Sequence, residues 1–315
     1  MILTVTLNPA VDRTLEVPNF EIGFRHRAGE TVTLPGGKGV NVARVVKTLG
    51  QPVIATGFLG GRAGERVLLD LEHEDILCDF VRISSETRTS TAVLDPTAGT
   101  TTEINEYGPE VTSHELELLL EKLVYLSRAA SVMVVAGSIP RGLDPSIYAR
   151  LVGRLKRPGA TVVLDTYGEP LRQGVKSAPN MLFLNQYETE TLIGHEFGGE
   201  EEFVAAAATL RRLGAGAAVV HGLEMCVAQI PANGQVTTLV ARPPHVDVVS
   251  AVGSGDSLLG GFVARMMEGY PPADCLRFGV GCGLANAGSY GAGLFAPEEA
   301  ERYAEHVEVK ERTQG

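Results

Sequence analysis

Val132-Met133-Val134-Val135-Ala136 is an unbroken apolar run, too short for an ordinary helix and of the kind found in buried strands. Three more such runs follow, Thr161–Leu164, Met181–Leu184 and Ala217–Val220, and helical stretches fall between most of them. A strand covered on both faces has no polar side to alternate with, and parallel strands flanked by helices are covered in this way. The order predicts an α/β fold, a mainly parallel sheet with helices on both faces. Ligands in such sheets bind beyond the carboxyl ends of the strands.

Working outward, Thr112 and Glu115 form a capping-box pair ahead of Leu116, Leu119, Leu120 and Leu123 at helical spacing. Towards the start of the chain the pattern changes. Ile2–Leu7 reads as a strand ending at the Asn8-Pro9 turn. Residues near 13–17, 28–34, 90–94 and 101–105 are short, half-apolar alternations. The last two flank Asp95-Pro96-Thr97-Ala98-Gly99, a hairpin-turn sequence. With no helices among them, these strands predict a small antiparallel sheet set apart from the main core. The 315 residues read as one main domain with a small appendage, without internal repeat or long linker.

Composition narrows the function classes. Hydrophobic residues make up 44% and charged residues 21%, an ordinary globular balance. The net charge of −11 argues against a nucleic-acid partner, because phosphate backbones are held by clustered Lys and Arg. A small anionic substrate remains compatible, provided that a few local cations overcome the global field. Cys78, Cys226, Cys275 and Cys282 form no CxxC pair and have no accompanying His cluster, so they read as reduced thiols. The N-terminus lacks a basic leader with a cleavable apolar run, and no stretch of about 18 apolar residues occurs. The expectation is a cytoplasmic protein that does not enter a membrane.

The strongest chemical signal is Val252-Gly253-Ser254-Gly255-Asp256-Ser257, which leads into a helical face of Leu259, Phe262, Val263 and Met266. Small residues before a helix expose N–H groups to an anion, and the helix dipole adds attraction. Asp256 at that end has two readings. It caps the helix, or it takes a proton from a hydroxyl while the amides hold a transferring phosphoryl group. A second glycine-rich loop, Pro35-Gly36-Gly37-Lys38-Gly39, precedes a helix carrying Asn41, Val42 and Val46. It permits close backbone approach to a ligand, or is a simple turn with an incidental lysine. It has neither the Walker spacing nor a dinucleotide fingerprint. Asn185 and Glu188 follow a buried strand and read as helix caps or as groups that orient a magnesium ion through water. Arg88 and Asp12 are weaker signals, and none of the seven histidines is assigned to catalysis.

In order along the chain these segments resemble the ribokinase-like PfkB carbohydrate kinases. The stretches carrying the resemblance are Gly36-Gly37-Lys38-Gly39-Val40-Asn41-Val42-Ala43 and Val252–Ser257, with Gly137-Ser138-Ile139-Pro140 and Asp165-Thr166 between them. Leu7–Asp12, Thr87-Arg88-Thr89 and Thr102–Glu106 are similar to the 1-phosphofructokinase and tagatose-6-phosphate kinase branch. The resemblance implies a ribokinase-like three-layer α/β/α domain over residues 1–315, with a small β-sheet lid from segments about 13–34 and 88–105. It implies Asp256 as general base and the Gly253, Ser254 and Gly255 amides as anion hole. Asp12, Gly37, Asn41 and Ser138 would line the sugar site, while Lys38, Arg88 and Arg27 would hold the phosphate already on the substrate. Nucleotide contacts would come from Asn185, Glu188, His221, Gly222 and Asn286, with Glu188 near Mg²⁺ through water. The implied activity is ATP- and Mg²⁺-dependent phosphorylation of fructose 1-phosphate, in a homodimer paired through the lid. Tagatose-6-phosphate kinase and 6-phosphofructokinase are the alternatives within the family.

Two positions depart from the family pattern. Phe183 stands where a lysine commonly precedes the NxxE element, and Met225 stands where a second glycine closes a turn after Gly222. A Cβ at position 225 predicts strain if that turn needs φ > 0. Both changes bear on the phosphoryl donor. They also raise a different class of reading, a relative that binds sugar and nucleotide without turnover. A nicotinamide-dependent oxidoreductase fits the same α/β alternation but lacks its glycine fingerprint.

Overall fold

The computed structural model describes residues 1–232 and 234–312. Its strands are β1 (Ile2–Thr6), β2 (Ala10–Glu16), β3 (Thr31–Gly36), β4 (Val53–Gly60), β5 (Leu77–Cys78), β6 (Val81–Ile83), β7 (Arg88–Asp95) and β8 (Thr100–Asn105). They continue with β9 (Val132–Ala136), β10 (Thr161–Asp165), β11 (Met181–Asn185), β12 (Ala217–His221), β13 (Cys226–Ala232), β14 (Gln235–Arg242) and β15 (Glu308–Arg312). The helices are α1 (Lys38–Thr48), α2 (Gly61–His73), α3 (Ser113–Leu126), α4 (Ile147–Leu155) and α5 (Gly168–Gly174). After them come α6 (Gln186–Ile193), α7 (Glu200–Arg212), α8 (Ser254–Met267), α9 (Pro272–Ala287) and α10 (Pro297–Glu305).

The main sheet runs β15-β14-β13-β12-β11-β10-β9-β1-β4-β5, with β6 also on β4. From β12 to β5 every neighbouring pair is parallel, whereas β12 to β15 pair antiparallel. The four apolar runs form β9 to β12 with their expected starts, and three of the four strands extend one residue further, to Asp165, Asn185 and His221. Alternate side chains serve opposite layers. Leu3, Val5 and Leu7 join a core with Leu119 of α3, Leu151 of α4, Leu171 of α5 and Leu210 of α7. Ile2 joins the other core with Val42 of α1, Leu71 of α2, Phe262 of α8 and Leu276 of α9. The result is the ribokinase-like three-layer α/β/α arrangement.

The segments expected as a lid make a separate four-stranded sheet, β3-β2-β7-β8. It is not purely antiparallel, as the sequence had suggested. β2 and β7 run parallel, from Ala10 opposite Arg88 to Glu16 opposite Leu94. Parallel neighbours need a long crossover, and α1, β4 and α2 lie in sequence between the two halves of the lid. The β7–β8 hairpin turns at the expected Asp95–Gly99 segment, where the Asp95 carboxylate accepts from the N–H groups of Asn19, Phe20 and Thr97.

The capping box at Thr112 and Glu115 forms as read, and Glu115 does more than close its helix. One of its oxygens accepts from the Thr112 N–H and hydroxyl, both at 2.8 Å, and the other accepts from the Ser84 N–H at 2.8 Å. Burial alone would raise the Glu115 pKa, but these bonds outweigh it and hold the carboxyl below the usual glutamate range. Glu115→Ala is expected to destabilise the fold by about 1–3 kcal/mol at pH 7, read by urea denaturation. Because the folded pKa is depressed, this contribution is complete above the ordinary value of 4.5 and is lost as pH falls through the lower folded value. The gap between wild type and variant should therefore narrow in acid.

Candidate active site

A cavity of about 700 Å³ lies between the carboxyl ends of the parallel strands and lid strands β2, β7 and β8. Each central strand delivers its next residues there. Asn8 follows β1, Gly137 and Ser138 follow β9, and Asp165, Asn185 and His221 end β10, β11 and β12. The N-termini of α1 and α8 close the floor, bringing Lys38 and Asn41 to Asp256 although 215 residues separate Asn41 from Asp256.

The start of α8 is shaped by its glycines. Gly253, the N-cap, has φ +78° and lies so close to Ala292 that a Cβ would come within 2.2 Å of that methyl. A side chain there is excluded twice, by conformation and by space. The Ser254 N–H donates to the Ala251 carbonyl at 3.2 Å, so Ser254 is not among the free amides. Those of Gly253, Gly255 and Asp256 have no partner among the described residues. Behind the loop, Asn286 donates to the Val252 carbonyl at 2.9 Å and accepts from the Gly293 N–H at 2.7 Å. Asn286 is fully buried and its amide is spent on bracing the loop, so it does not reach the cavity.

Asp256 is buried, and its Oδ2 accepts from Asn41 Nδ2 at 2.7 Å. Desolvation is the largest influence on it, and the carboxyl is pushed up to about 7 despite the neighbouring Lys38 ammonium. Lys38 donates to Asp165 Oδ1 at 2.5 Å and to Glu188 Oε1 at 2.7 Å. Burial opposes its charge, but Asp165, Glu188 and Asp256 outweigh that and raise its pKa. Lys38 therefore faces the carboxylates at the strand ends. The physical reason is the pull of three anions on one cation.

On the lid side, Asp12 lies opposite Leu34 in the β2–β3 ladder and is pushed up to about 6, first by burial and against the pull of Arg88. Arg88 donates to the Asn8 carbonyl at 3.3 Å and to the Ser90 hydroxyl at 3.1 Å. Asn8 in turn donates to the Ser138 hydroxyl at 2.9 Å. The Oδ1 atoms of Asn8 and Asn41 are buried without a partner among the described residues, and both side chains belong to cavity-lining residues. Such orphaned acceptors suit a ligand that brings hydroxyl donors. Gly37 lines the same wall, whereas Arg27 is exposed on the loop between β2 and β3 and does not line the cavity.

On the α8 side, both capping readings hold. Asn185 Oδ1 accepts from the Glu188 N–H at 2.7 Å, and Glu188 Oε2 accepts from the Asn185 N–H at 3.0 Å. Gly222 does not line the cavity, and its N–H closes a tight turn on the Met225 carbonyl at 2.9 Å. Met225 is buried and takes no left-handed backbone, so the strain expected there does not arise. Phe183 turns into the core, edge-on to Phe262, and also packs against His221. Two residues carried no role in the sequence reading and have one here, Asn8 and Asp165. Asp165 had a signal, a carboxylate ending an apolar strand, whereas Asn8 had none beyond its turn with Pro9.

Among the described residues no cluster of three or more Asp, Glu, His or Cys side chains is arranged to hold a metal ion. Glu188 already has one oxygen on Asn185 and the other on Lys38. This donor set fits a Mg²⁺ ion that arrives on phosphate oxygens and keeps its waters, the usual mode for that ion, better than a protein-built cage.

Residues 6–299 match the pfkB family carbohydrate kinase model. The chain is 33% identical over 293 residues to 1-phosphofructokinase of Borreliella burgdorferi, covering 91% of this chain and 92% of that one. It is 32% identical over 292 residues to 1-phosphofructokinase of Bacillus subtilis, with the same shares covered. Its structure is similar to phosphofructokinase-2 from Escherichia coli in complex with substrates and products, at TM-score 0.88 and 25% identity over 97% of this chain and 98% of that one. With strand-end residues, two glycine-rich loops and a lid converging on one cavity, the chain belongs to the pfkB family of carbohydrate kinases.

Proposed function

We propose that the protein transfers the γ-phosphoryl group of ATP to fructose 1-phosphate, giving fructose 1,6-bisphosphate and ADP. The observation that carries this reading is the placement of Asp256. A buried carboxylate stands at the N-terminus of α8, beside free amides, in the same cavity as Arg88 and Asp12. The two 1-phosphofructokinase relatives support the choice of acceptor.

In this reading Arg88 holds the phosphate already on the sugar, and Asp12, Gly37, Asn8, Asn41 and Ser138 hold its hydroxyls. Asp256 accepts the proton of the attacking hydroxyl as its oxygen bonds to the γ-phosphorus and the bond to the bridging oxygen of ADP breaks. The amides of Gly253, Gly255 and Asp256 stabilise charge on the equatorial oxygens, the main demand in phosphoryl transfer. Lys38 faces the same region and is held there by Asp165 and Glu188. Mg²⁺ would be met by Glu188 through water and would neutralise charge on the β and γ oxygens. Exposed Ile22, Phe24 and Ile104 on the lid segments support pairing of two copies through the lid. In this reading the enzyme works in the cytoplasm; no described helix is long and apolar enough to cross a membrane.

The deciding experiment is a coupled ADP-release assay with ATP and Mg²⁺ across fructose 1-phosphate, tagatose 6-phosphate, fructose 6-phosphate and fructose. Fructose 1-phosphate is expected to lead on kcat/KM by at least about tenfold. A lead by another acceptor would reassign the substrate, and ligand binding without turnover of any would replace the enzyme by a binding protein.

Asp256→Asn is expected to lower kcat by about 10²-fold or more while the protein stays folded. In the wild type kcat/KM should rise with pH through about 7, since the base must be ionised. The stability sign is opposite to that of Glu115. A carboxyl raised from 3.8 to about 7 stabilises the fold when protonated, and that contribution is lost as pH rises through about 7. At pH 8 the Asn variant should therefore melt at least about 2 °C above wild type, with the gap closing at pH 5.

Arg88→Ala should raise KM for the sugar phosphate by about tenfold or more and leave KM for ATP within about twofold. An equal rise in both constants would move Arg88 out of the sugar-phosphate site.

A further inference from the structure

Between the end of α9 at Ala287 and the start of α10 at Pro297 the chain forms no helix or strand. Ala292 lies in this segment between Gly291, at φ +149°, and Gly293, at φ +72°, so its immediate neighbours give it little stiffness of their own. Yet the start of α8 rests on this residue. A Cβ on Gly253 would come within 2.2 Å of the Ala292 methyl and 2.6 Å of its Cα. The position of the unpartnered Gly253 N–H therefore depends on what keeps Ala292 from moving. Two bonds do so. The Gly293 N–H donates to Asn286 Oδ1 at 2.7 Å, and Arg44 Nη1 donates to the Ala292 carbonyl.

Arg44 belongs to α1 and is 3% exposed. Its Nε donates to both oxygens of Glu74, at 2.7 and 3.0 Å, and its Nη2 donates to Oε1 at 2.8 Å. Glu74 is the C-cap of α2. The fork on this carboxylate fixes the plane of the guanidinium, and that plane aims Nη1 at Ala292. A lysine here would meet one partner as a point charge and fix no plane. Asn41 stands three residues earlier, on a neighbouring position of the same helix surface, and donates to Asp256 at 2.7 Å. Helix α1 thus presents one side chain to the Asp256 carboxyl and, one turn on, another to the wall behind the Gly253 amide.

We propose that Arg44 is a positioning residue for phosphoryl transfer, which sets the Gly253 N–H relative to the Asp256 carboxyl by holding Ala292 to α1. The proposal rests on the reading of that amide as a partner of the transferring group. It adds a residue that touches no substrate, since Arg44 does not line the cavity. Its effect belongs to the transition state. Charge spreads over the equatorial oxygens as the bond to ADP breaks, and a displaced donor loses more there than in the ground state. The sugar phosphate is held from the lid and the strand ends, so its KM is insulated from Arg44.

The test measures kcat, both KM values and thermal unfolding for Arg44→Met, Glu74→Ala and the double variant, on the acceptor that wild type prefers. Each is assayed at a temperature where its unfolding curve shows it folded. Arg44→Met keeps the length and loses the donors. It should lower kcat by about 30-fold or more, the scale of a misplaced transition-state donor, and leave both KM values within about threefold. The midpoint of kcat/KM near pH 7 should stay, because the base keeps Asn41 and Lys38 beside it. Glu74→Ala frees the guanidinium plane and should lower kcat by about threefold to tenfold. The double variant should be no slower than Arg44→Met, because Glu74 acts only through Arg44.

A lower melting temperature with kcat unchanged in the folded protein would reduce Arg44 to a structural brace and overturn the proposal. So would a rise in KM at constant kcat, a shift of the pH midpoint by more than about one unit, or losses in the double variant that multiply. If Arg44→Met does not fold, Glu74→Ala, at a side chain 34% exposed, carries the test through the same kcat and KM comparison. Wild-type protein that turns over none of the four acceptors would overturn the kinase reading along with the proposal, whereas wild-type turnover that neither Arg44 nor Glu74 influences overturns the proposal alone.

Discussion

Three buried carboxylates, Asp165, Glu188 and Asp256, are gathered around one ammonium group, that of Lys38. Isolated charges of this kind are costly to remove from water, and their mutual attraction offsets that cost only when the geometry is close. The two contacts of 2.5 and 2.7 Å supply that closeness for Asp165 and Glu188. Asp256 is left with the weaker share. It has an amide partner in Asn41 and no direct ion pair, and burial pushes its pKa to about 7; burial also raises Asp165, to about 6, in spite of its contact with Lys38. Lys38 lowers both carboxyls, and in both burial outweighs it. Removing it would leave three anions without compensation.

The rest of the site follows from the need to hold that cluster in place. Lys38 and Asn41 are the first and fourth residues of α1, so fixing that helix fixes both. Further along α1, buried Arg44 forms a two-pronged bond to Glu74 and donates to the Ala292 carbonyl. Ala292 is the residue against which Gly253 packs, and Asn286 ties Val252 to Gly293. The two glycine-rich loops are therefore braced through a shared wall made of Arg44, Ala292 and Asn286. The lid meets the same wall, where the Tyr290 hydroxyl donates to Glu16 at 2.9 Å. The helix and the loop on two sides of the cavity share one set of buried polar bonds, which favours rigidity over adaptation.

That arrangement has an energetic cost. A carboxylate buried with too little compensation is destabilising in its ionised form. Orphaned acceptors on Asn8 and Asn41 add to the cost until a ligand supplies donors. The wide cores on both sides of the sheet offset it, since β1 and β9 to β11 are buried along nearly their whole length.

Much of this was legible in the chain. Unbroken apolar runs announced β9 to β12, because a strand covered on both faces can tolerate no polar alternation. The capping pair at Thr112 and Glu115 and the glycine-rich start of α8 were equally readable, because caps and tight turns depend on a few neighbouring residues. The parallel β2–β7 pairing was not, since a crossover partner lies beyond any local pattern. Nor were the direction of the Lys38 side chain, the bracing role of Asn286 or the reach of Arg44 to Ala292. The sequence by itself determined which segments are strands, helices and glycine-rich turns, because those depend on periodicity and backbone freedom. Tertiary structure alone decided which charges meet, because Lys38, Asp165, Glu188 and Asp256 come together from four distant segments and a Coulomb interaction depends on distance in space, not on separation along the chain.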